Sequence, residues 1–209
     1  MKSLLLWLLL VIPLVTEITA KHHHNRGLVV NKLPVTLYYE ALCPYCREFV
    51  TKQLNPSMIR KDRLAYTDLT LVPYGNAKTN ADGNVTCQHG VEECELNAWH
   101  GCILEHHNPN ESLKLIACMM RGKKNKLDTC SERYQIDVSD VKECKQSRSV
   151  NDILAKYAGE SSKVQYRGVP AITVDNIFNE EDQENLSENF DAVFCAKYKA
   201  KFNKTLENC

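Results

Sequence analysis

The sequence predicts an α/β domain that is interrupted by a helical, cysteine-rich insertion. Three observations support this prediction. Residues 35–39 are mostly β-branched and aromatic, and a Cys-x-x-Cys motif and a helical pattern follow them at once. Residues 87–144 contain six cysteines among helical segments. The β pattern returns at residues 171–174 and is followed by another helical segment.

The elements before the insertion form a strand–helix–strand unit. Residues 44–54 predict a helix, because Pro44 stands at an early helical position where its missing N–H is not needed. Residues 64–74 carry alternating apolar side chains and predict a second strand, which ends at Pro73. Residues 75–86 are rich in turn-forming residues.

The insertion and the C-terminal part follow in order. Helical patterns occupy residues 91–106, 111–120, 138–145 and 150–158. Residues 171–174 predict a third strand, and Asp175-Asn176 predicts a tight turn into a return strand at 177–178. Residues 186–200 predict the last helix, because their apolar side chains fall on or near one face.

The N-terminus has the pattern of a secretory signal peptide. Lys2 precedes an apolar run at residues 4–15, and small residues end at Ala20. The run is too short for a membrane-spanning helix, so no membrane span is expected. The expected organisation is a signal peptide at 1–20, a polar leader at 21–33, one α/β domain at 34–200 with its insertion at about 75–160, and a polar tail at 201–209.

The cysteines and sequons indicate an exported, oxidised protein. Ten cysteines in a chain with a signal peptide predict a disulfide framework. The cysteines expected to be structural are Cys87, Cys94, Cys102, Cys118, Cys130, Cys144, Cys195 and Cys209. The expected N-glycosylation sites are Asn84, Asn110, Asn185 and Asn203. Cys209 either bonds Cys195 and ties down the tail, or forms a disulfide-linked dimer.

The charge balance excludes two classes of partner. Lys and Arg number 26, as do Asp and Glu, so the chain offers no basic surface for nucleic acid or an anionic membrane. No cofactor or metal is expected. A structural zinc site usually needs two Cys-x-x-Cys knuckles, and the remaining cysteines are spaced too widely to form the second.

Cys43 and Cys46 are the predicted catalytic pair. A Cys-x-x-Cys motif between a strand and a helix is the setting of a thioredoxin-like redox site. Cys43 should lie exposed at the helix start, where free N–H groups favour its thiolate, and Arg47 could add to that effect. Cys43 would attack a substrate disulfide and Cys46 would resolve the mixed disulfide. A purely structural disulfide and half of a metal site are the alternatives.

Val169 and Pro170 are the predicted substrate-binding residues. They directly precede the third predicted strand, where thioredoxin-like folds place a cis proline that faces the dithiol. A cis peptide bond is rare enough to suggest a purpose. The alternative is an ordinary trans proline at the start of a strand.

A second motif, residues 87–102, reads CQHGVEECELNAWHGC. The fixed positions within it are Cys87, Gln88, His89, Gly90, Glu93, Cys94, Asn97 and Cys102. This pattern resembles the signature of the gamma-interferon-inducible lysosomal thiol reductase family. The resemblance implies a thioredoxin-like fold with a disulfide-stapled helical insertion. It also implies reduction of protein disulfides in the endosomal or lysosomal lumen, with a small-thiol or protein reductant to recycle the enzyme. The Pro44-Tyr45 linker differs from that of the mammalian enzyme and matches glutaredoxins, so the redox potential and pH optimum stay open.

The signature residues also have a structural interpretation. Cys94 and Cys102 would lie about 12 Å apart along one helix, too far to bond each other. We therefore expect each to bond elsewhere, with Cys102 reaching Cys118 on the next helix. His89, Glu93 and Asn97 are expected to hold the insertion together rather than to act in catalysis.

Two questions stay open from the sequence. No obvious buried acid is available to help Cys46 release its proton. The direction of the reaction depends on the redox potential relative to the compartment, so a disulfide oxidase or isomerase remains an alternative to a reductase. A secreted binding module with an inert Cys-x-x-Cys motif is the alternative from another class.

Overall fold

The computed structural model describes residues 30–209. The expected signal peptide at 1–20 and most of the leader at 21–33 lie outside the described residues. Within residues 30–209, no helix is both long and apolar enough to cross a membrane.

The strands of the described chain are β1 (Leu33–Tyr39), β2 (Thr67–Pro73), β3 (Lys78–Thr79), β4 (Val85–Thr86), β5 (Ala171–Val174) and β6 (Ile177–Phe178). The α-helices are α1 (Pro44–Glu48), α2 (Val91–His106), α3 (Pro109–Met119), α4 (Leu127–Tyr134), α5 (Ser139–Ser147), α6 (Val150–Ser161), α7 (Gln183–Glu188) and α8 (Phe190–Phe202).

Four strands form one mixed sheet in the order β2-β1-β5-β6. β1 pairs in parallel with β2 and antiparallel with β5, so it is covered on both edges. Its residue Leu37 lies opposite Leu71 on one side and Ile172 on the other. Because β1 is the buried centre of the sheet, the residues that follow it start from a rigid support.

The helical segment after β1 differs in kind from the predicted helix at 44–54. Only α1 is α-helical, and the chain continues in π-helical turns at Phe49–Leu54 and Pro56–Arg60. Phe49, Val50, Leu54 and Met58 of these turns are buried. Phe49 meets Phe190 of α8 edge to face, with ring centroids 5.5 Å apart. This packing anchors the segment that begins at the Cys-x-x-Cys motif.

Helix α2 is the centre of the insertion. It packs against α3, α5, α6 and strand β2. Its bounds, Val91–His106, match the predicted helix, and those of β5 and β6 match the predicted strands. Gly101 permits the close approach of α6, because a Cβ there would lie 2.8 Å from the Tyr157 ring. The Tyr157 hydroxyl also donates to the Gly101 carbonyl at 2.9 Å.

All eight cysteines outside the Cys-x-x-Cys motif form disulfides. The pairs are Cys87–Cys94, Cys102–Cys144, Cys118–Cys130 and Cys195–Cys209. The predicted Cys102–Cys118 pair is therefore wrong. Helix α5 packs on α2 and brings its cysteine to Cys102, whereas the cysteine of α3 faces α4. The bond to Cys195 closes the C-terminal tail on α8 and occupies Cys209, which leaves no thiol there for a disulfide-linked dimer.

Several other elements differ from the sequence prediction. The turn region at 75–86 contains the small hairpin of β3 and β4. Helix α4 was not predicted. The predicted last helix at 186–200 is divided into α7 and α8, because Asn189 leaves helical geometry with ψ at +41°.

Candidate active site

Cys43 and Cys46 are the two free cysteines of the described chain, and they meet at the start of α1. Cys43 is the N-cap residue, and its sulfur accepts a hydrogen bond from the backbone N–H of Cys46 at 3.4 Å. Pro44 is the first residue of the helix, as the sequence predicted. The side chain of Tyr45 stands out into solvent, with 74% of its surface exposed.

Cys43 is less accessible than the sequence suggested. It is only 5% exposed and Cys46 is fully buried. The Sγ of Cys43 lies 3.5 Å from the Val169 carbonyl, to which its thiol donates. The Val169–Pro170 peptide bond is cis, in agreement with the sequence prediction. The loop before β5 therefore lies against the dithiol and brings Val169 and Pro170 beside it.

The two thiols have opposite electrostatic environments. A hydrogen bond from the Cys46 side chain lowers the pKa of Cys43 to about 6, against the opposing effect of burial. The backbone N–H groups of Cys46 and Tyr45 and the charge of His89 add to this lowering. Burial, and then the hydrogen bond and charge of Cys43, raise the pKa of Cys46 well above its usual value. The pair is thus built to hold one thiolate and one thiol.

His89 is a charged side chain that favours the Cys43 thiolate, a role that was not predicted from the sequence. The Nε of Arg47 donates to the Met120 carbonyl at 2.8 Å, which ties the site helix to the end of α3. The expected effect of Arg47 on Cys43 stays a prediction.

A polar stripe on α2 holds the chain that leads into the motif. Its members, at positions 93, 97 and 100, lie on one face of the helix and are all buried. Their partners follow one another along the chain. The bonds are Glu93 Oε2 with Leu42 N at 3.2 Å, Asn97 Oδ1 with Ala41 N at 2.9 Å, and His100 Nδ1 with the Tyr39 hydroxyl at 3.1 Å. Glu93 and Asn97 of the signature thus support the residues that lead into the Cys-x-x-Cys motif, and not only the insertion. His100 was missed in the sequence, although its spacing from Glu93 and Asn97 was visible there.

Glu40 is the buried acid that the sequence did not reveal. It directly follows β1 and its side chain is fully buried. Its Oε1 accepts from the backbone N–H of Asn76 at 2.8 Å, and its Oε2 has no hydrogen-bond partner within the described part of the chain. A Cβ on Gly75 would lie 2.4 Å from Cγ of Glu40, so only glycine fits beside this carboxyl. The sequence did contain a signal for it, because Glu40 stands between a predicted strand and the Cys-x-x-Cys motif.

Three charged groups form a cluster beside the dithiol, which we call the Glu40–His89–Glu93 cluster. The Nδ1 of His89 lies 2.7 Å from Oε2 of Glu93 and 3.6 Å from Oε2 of Glu40. Burial is the main cause that raises the pKa of Glu40 to about 7. The Glu93 carboxylate and the charge of Cys43 act in the same direction, whereas the Asn76 N–H and the charge of His89 act against them. An unperturbed Glu has its pKa near 4.5.

The ligand atoms of this cluster lie close enough to surround one metal ion. Glu93 and His89 are already paired, however, since Glu93 accepts from the His89 ring, the His89 backbone and Leu42. We therefore describe the cluster as a hydrogen-bonded charge network. A second grouping of Glu105, His106 and Cys144 contains a disulfide-bonded sulfur, which is not a thiolate ligand.

A groove of about 440 Å³ opens beside the dithiol. It combines apolar and polar side chains from the site helix, the cis-proline loop and α7, among them Tyr45, Phe49, Gln53, Val169, Pro170 and Glu188. Two of its lining residues are neighbours of Cys43, namely Tyr45 in the motif and Val169, whose carbonyl accepts from the Cys43 thiol.

The four sequon asparagines are all exposed. Glycans at Asn84, Asn110, Asn185 and Asn203 would therefore meet no steric obstacle from the folded chain, and their attachment stays a prediction.

Comparison with protein families gives a match to the family described as Gamma interferon inducible lysosomal thiol reductase (GILT), over residues 34–134. A relative from Drosophila melanogaster, GILT-like protein 2, is 68% identical over 184 residues, which cover 88% of this chain and 89% of the relative. The gamma-interferon-inducible lysosomal thiol reductase of Carassius auratus is 33% identical over 182 residues, covering 82% of this chain and 71% of the relative.

Comparison with solved structures identifies the fold. The DsbA of Chlamydia trachomatis superposes with a TM-score of 0.55 at 16% identity, covering 85% of this chain and 91% of that one. This likeness shows a thioredoxin-like fold, as the sequence predicted. In this chain a helical, disulfide-bonded region is inserted after β2.

Proposed function

The chain belongs to the gamma interferon inducible lysosomal thiol reductase family, and from that premise we propose that it reduces disulfide bonds of protein substrates through Cys43 and Cys46. Family membership makes the protein a thiol reductase, an enzyme of thiol–disulfide exchange. The roles of the individual residues, the substrate and the compartment are the proposed part.

The observation that carries the proposal is the opposite shift of the two thiol pKa values. Cys43, with its pKa lowered to about 6, is the thiol that is ionised first and therefore attacks. Cys46 keeps its proton because burial and the adjacent Cys43 charge oppose its ionisation. This asymmetry matches the two steps of disulfide exchange.

The proposed reaction begins with attack of the Cys43 thiolate on one sulfur of a substrate disulfide. A mixed disulfide forms and the other substrate sulfur leaves as a thiolate that takes up a proton. Cys46 then loses its proton and attacks Cys43. The Cys43–Cys46 disulfide forms, the second substrate sulfur is released, and two electrons have passed to the substrate. A small-thiol or protein reductant would return the enzyme to the dithiol state.

The groove beside Cys43 is the proposed binding site for the substrate chain. Val169 and Pro170 line it, with the Val169 carbonyl 3.5 Å from the Cys43 sulfur, and Tyr45 adds an exposed aromatic ring. An extended segment of an unfolded protein could lie there with its disulfide at Cys43, whereas a folded domain would be held away by the burial of that sulfur.

An acidic lumen is the proposed compartment, with the extracellular space as its alternative. A thiol with a pKa of about 6 is about 3% ionised at pH 4.5, whereas a thiol with a pKa near 9 would be about a thousandfold less ionised. The lowered pKa therefore keeps a usable amount of thiolate in acid. The low pKa also stabilises the reduced state, so a measured potential must decide between reductase and oxidase.

Reduction of insulin disulfides at about pH 4.5 and pH 7 tests the proposal. The wild type is compared with Cys43→Ser and Cys46→Ser, and Cys46→Ser is incubated with substrate and analysed on a non-reducing gel. We expect activity in the wild type alone and a trapped mixed disulfide with Cys46→Ser. Activity only near neutral pH would move the enzyme to the extracellular space. Absence of activity at both pH values, with no trapped complex, would leave an inert binding module.

A further inference from the structure

Glu40 stands out among the buried groups because the reaction above does not use it. It lies in the same loop as Cys43, three residues earlier, and no part of its side chain reaches solvent. Its Oε1 is held by the Asn76 N–H at 2.8 Å, so the carboxyl has a fixed position. Its Oε2 has no hydrogen-bond partner among residues 30–209, and Nδ1 of His89 lies 3.6 Å from it.

Ionisation of such a carboxyl is energetically unfavourable. A buried carboxylate oxygen without a donor is disfavoured, and Glu93 places a second negative charge in the same cluster. The charge of a Cys43 thiolate is a further cause that favours the protonated form of Glu40. The charge of Glu40 opposes ionisation of Cys46, whereas a hydrogen bond from the Glu40 backbone favours it. The charges of the carboxyl and of the dithiol therefore influence each other's pKa values.

We propose that Glu40 is a positioning residue that acts on the dithiol through its charge, taking up a proton when the Cys43–Cys46 disulfide is reduced and releasing it when the disulfide forms again. This inference rests on the proposed function, because it requires a dithiol that cycles between the two states.

The proton and electron balance is simple. At a pH between the Cys43 pKa of about 6 and the Glu40 pKa of about 7, reduction breaks the S–S bond with two electrons and one proton, and leaves a thiolate on Cys43 and a thiol on Cys46. The new negative charge draws a second proton from solvent onto Glu40. When the dithiol reduces a substrate disulfide, two electrons leave with the substrate, and Cys46 and Glu40 together release two protons. Two protons are what the two substrate thiolates need to become thiols.

Other titratable groups face Glu40 from each neighbouring element. His89 and Glu93 face it from the start of α2, the two thiols face it from α1, and Tyr166 faces it from the segment before β5. The redox state changes the charge of the thiols directly, and His89 faces both Cys43 and Glu40. Redox-linked proton binding beyond that of the thiols is therefore assigned to Glu40 only where it is lost in a variant whose residue 40 cannot ionise.

The test is the number of protons taken up per disulfide reduced, measured between about pH 5 and pH 8. One measurement follows the reduction potential against pH in glutathione buffers containing a chelator, and a second follows proton uptake directly in a pH-stat. The variants are wild type, Glu40→Gln, Glu40→Asp and the exposed Glu132→Gln on α4. Glu40→Gln keeps an oxygen for Asn76 but cannot ionise.

We expect the wild type to take up more protons than Glu40→Gln, by about half a proton near pH 6.5 if the two groups are coupled by about one pKa unit. Glu40→Asp should keep an excess, displaced in pH, and Glu132→Gln should match the wild type. A purely structural role would not separate Gln from Asp in this way.

Equal proton counts in the wild type and Glu40→Gln would overturn the inference while leaving the reductase proposal intact. Failure of Cys43 and Cys46 to form a reversible disulfide would instead contradict the proposed function. If Glu40→Gln does not fold, Glu40→Asp takes its place in the comparison. The proton uptake beyond that of the thiols must then be displaced in pH between Glu40→Asp and the wild type, and identical pH profiles would refute the role of Glu40.

Discussion

The Oδ1 of Asn97 lies 2.9 Å from the backbone nitrogen of Ala41, two residues before Cys43. This bond links the middle of α2, inside the insertion, to the loop that carries the attacking thiol. Glu93 and His100 make parallel links on the same helix face. The insertion is therefore part of the active-site support, and changes in it should be felt at the dithiol.

Loss of the Asn97 bond should weaken both the fold and the reaction. Asn97→Ala leaves the Ala41 N–H buried without an acceptor, which should lower the free energy of unfolding by about 1–3 kcal/mol. The Cys43 alkylation rate should also change, because the loop loses a fixed contact. Urea unfolding and iodoacetamide kinetics measure the two effects. Gln146→Ala, at an exposed site on α5, is the control, and an equal response in both variants would contradict this role.

Removal of His89 should raise the pKa of Cys43. Protonated His89 favours the thiolate by its charge, so His89→Gln should move the midpoint of Cys43 ionisation upward from about 6. The pH dependence of alkylation gives the midpoint directly. The exposed His106→Gln serves as the matched histidine control. A midpoint that stays in place, or falls, would show that His89 does not supply the charge.

Replacement of Gly75 should disturb Glu40. Gly75 has φ at +57° and would place a Cβ 2.4 Å from the Glu40 Cγ, so Gly75→Ala should destabilise the protein by about 1–3 kcal/mol. Gly159→Ala is the matched control, because that helical glycine has open space around it and should gain up to about 1 kcal/mol. Thermal unfolding of both variants tests the contrast, which fails if the two glycines respond alike.

Glu40 should make stability depend on pH in the reduced protein. The folded pKa of about 7 exceeds the ordinary value of 4.5, so the folded state binds the extra proton between these values. The contribution of Glu40 is therefore full below about pH 4.5 and is lost as the pH rises through 7. Relative to the wild type, Glu40→Gln should gain about 3 kcal/mol in unfolding free energy between pH 4.5 and pH 8. Urea unfolding with reductant present measures it, and a difference independent of pH would contradict the raised pKa.

Two of the disulfides should differ in their effects on stability and on the reactivity of Cys43. Cys102 and Cys144 are 42 residues apart, whereas Cys87 and Cys94 are only 7 apart. Loop entropy predicts that replacing the first pair by Ala costs about 1.5 kcal/mol more than replacing the second. His89 lies between Cys87 and Cys94 in the chain. Loss of this disulfide should therefore change the alkylation rate of Cys43, although it lowers stability less than loss of Cys102–Cys144. Urea unfolding and Cys43 alkylation of the two double variants decide this, and the reverse order of stability would contradict the loop argument.

Local sequence patterns predicted several secondary-structure elements and the position of the dithiol. The periodicity of residues 91–106 predicted α2 with its observed bounds, and the tight-turn pair after β5 predicted the return strand. The motif at residues 43–46 and the Val-Pro before β5 located the dithiol and its neighbour, and the cis bond followed. These features depend on residues close together in the chain, so the sequence contains their physical cause.

Only the tertiary structure decided the rest. The partner of Cys102 is set by which helix packs on α2, and that depends on contacts spread over the whole insertion. The raised pKa of Glu40 requires burial by Gly75 and charge from Glu93, which stand 35 and 53 positions away in the sequence. Burial and electrostatic coupling act between residues that are distant in the chain. The sequence therefore identified the two reacting thiols, whereas the fold determined their pKa values.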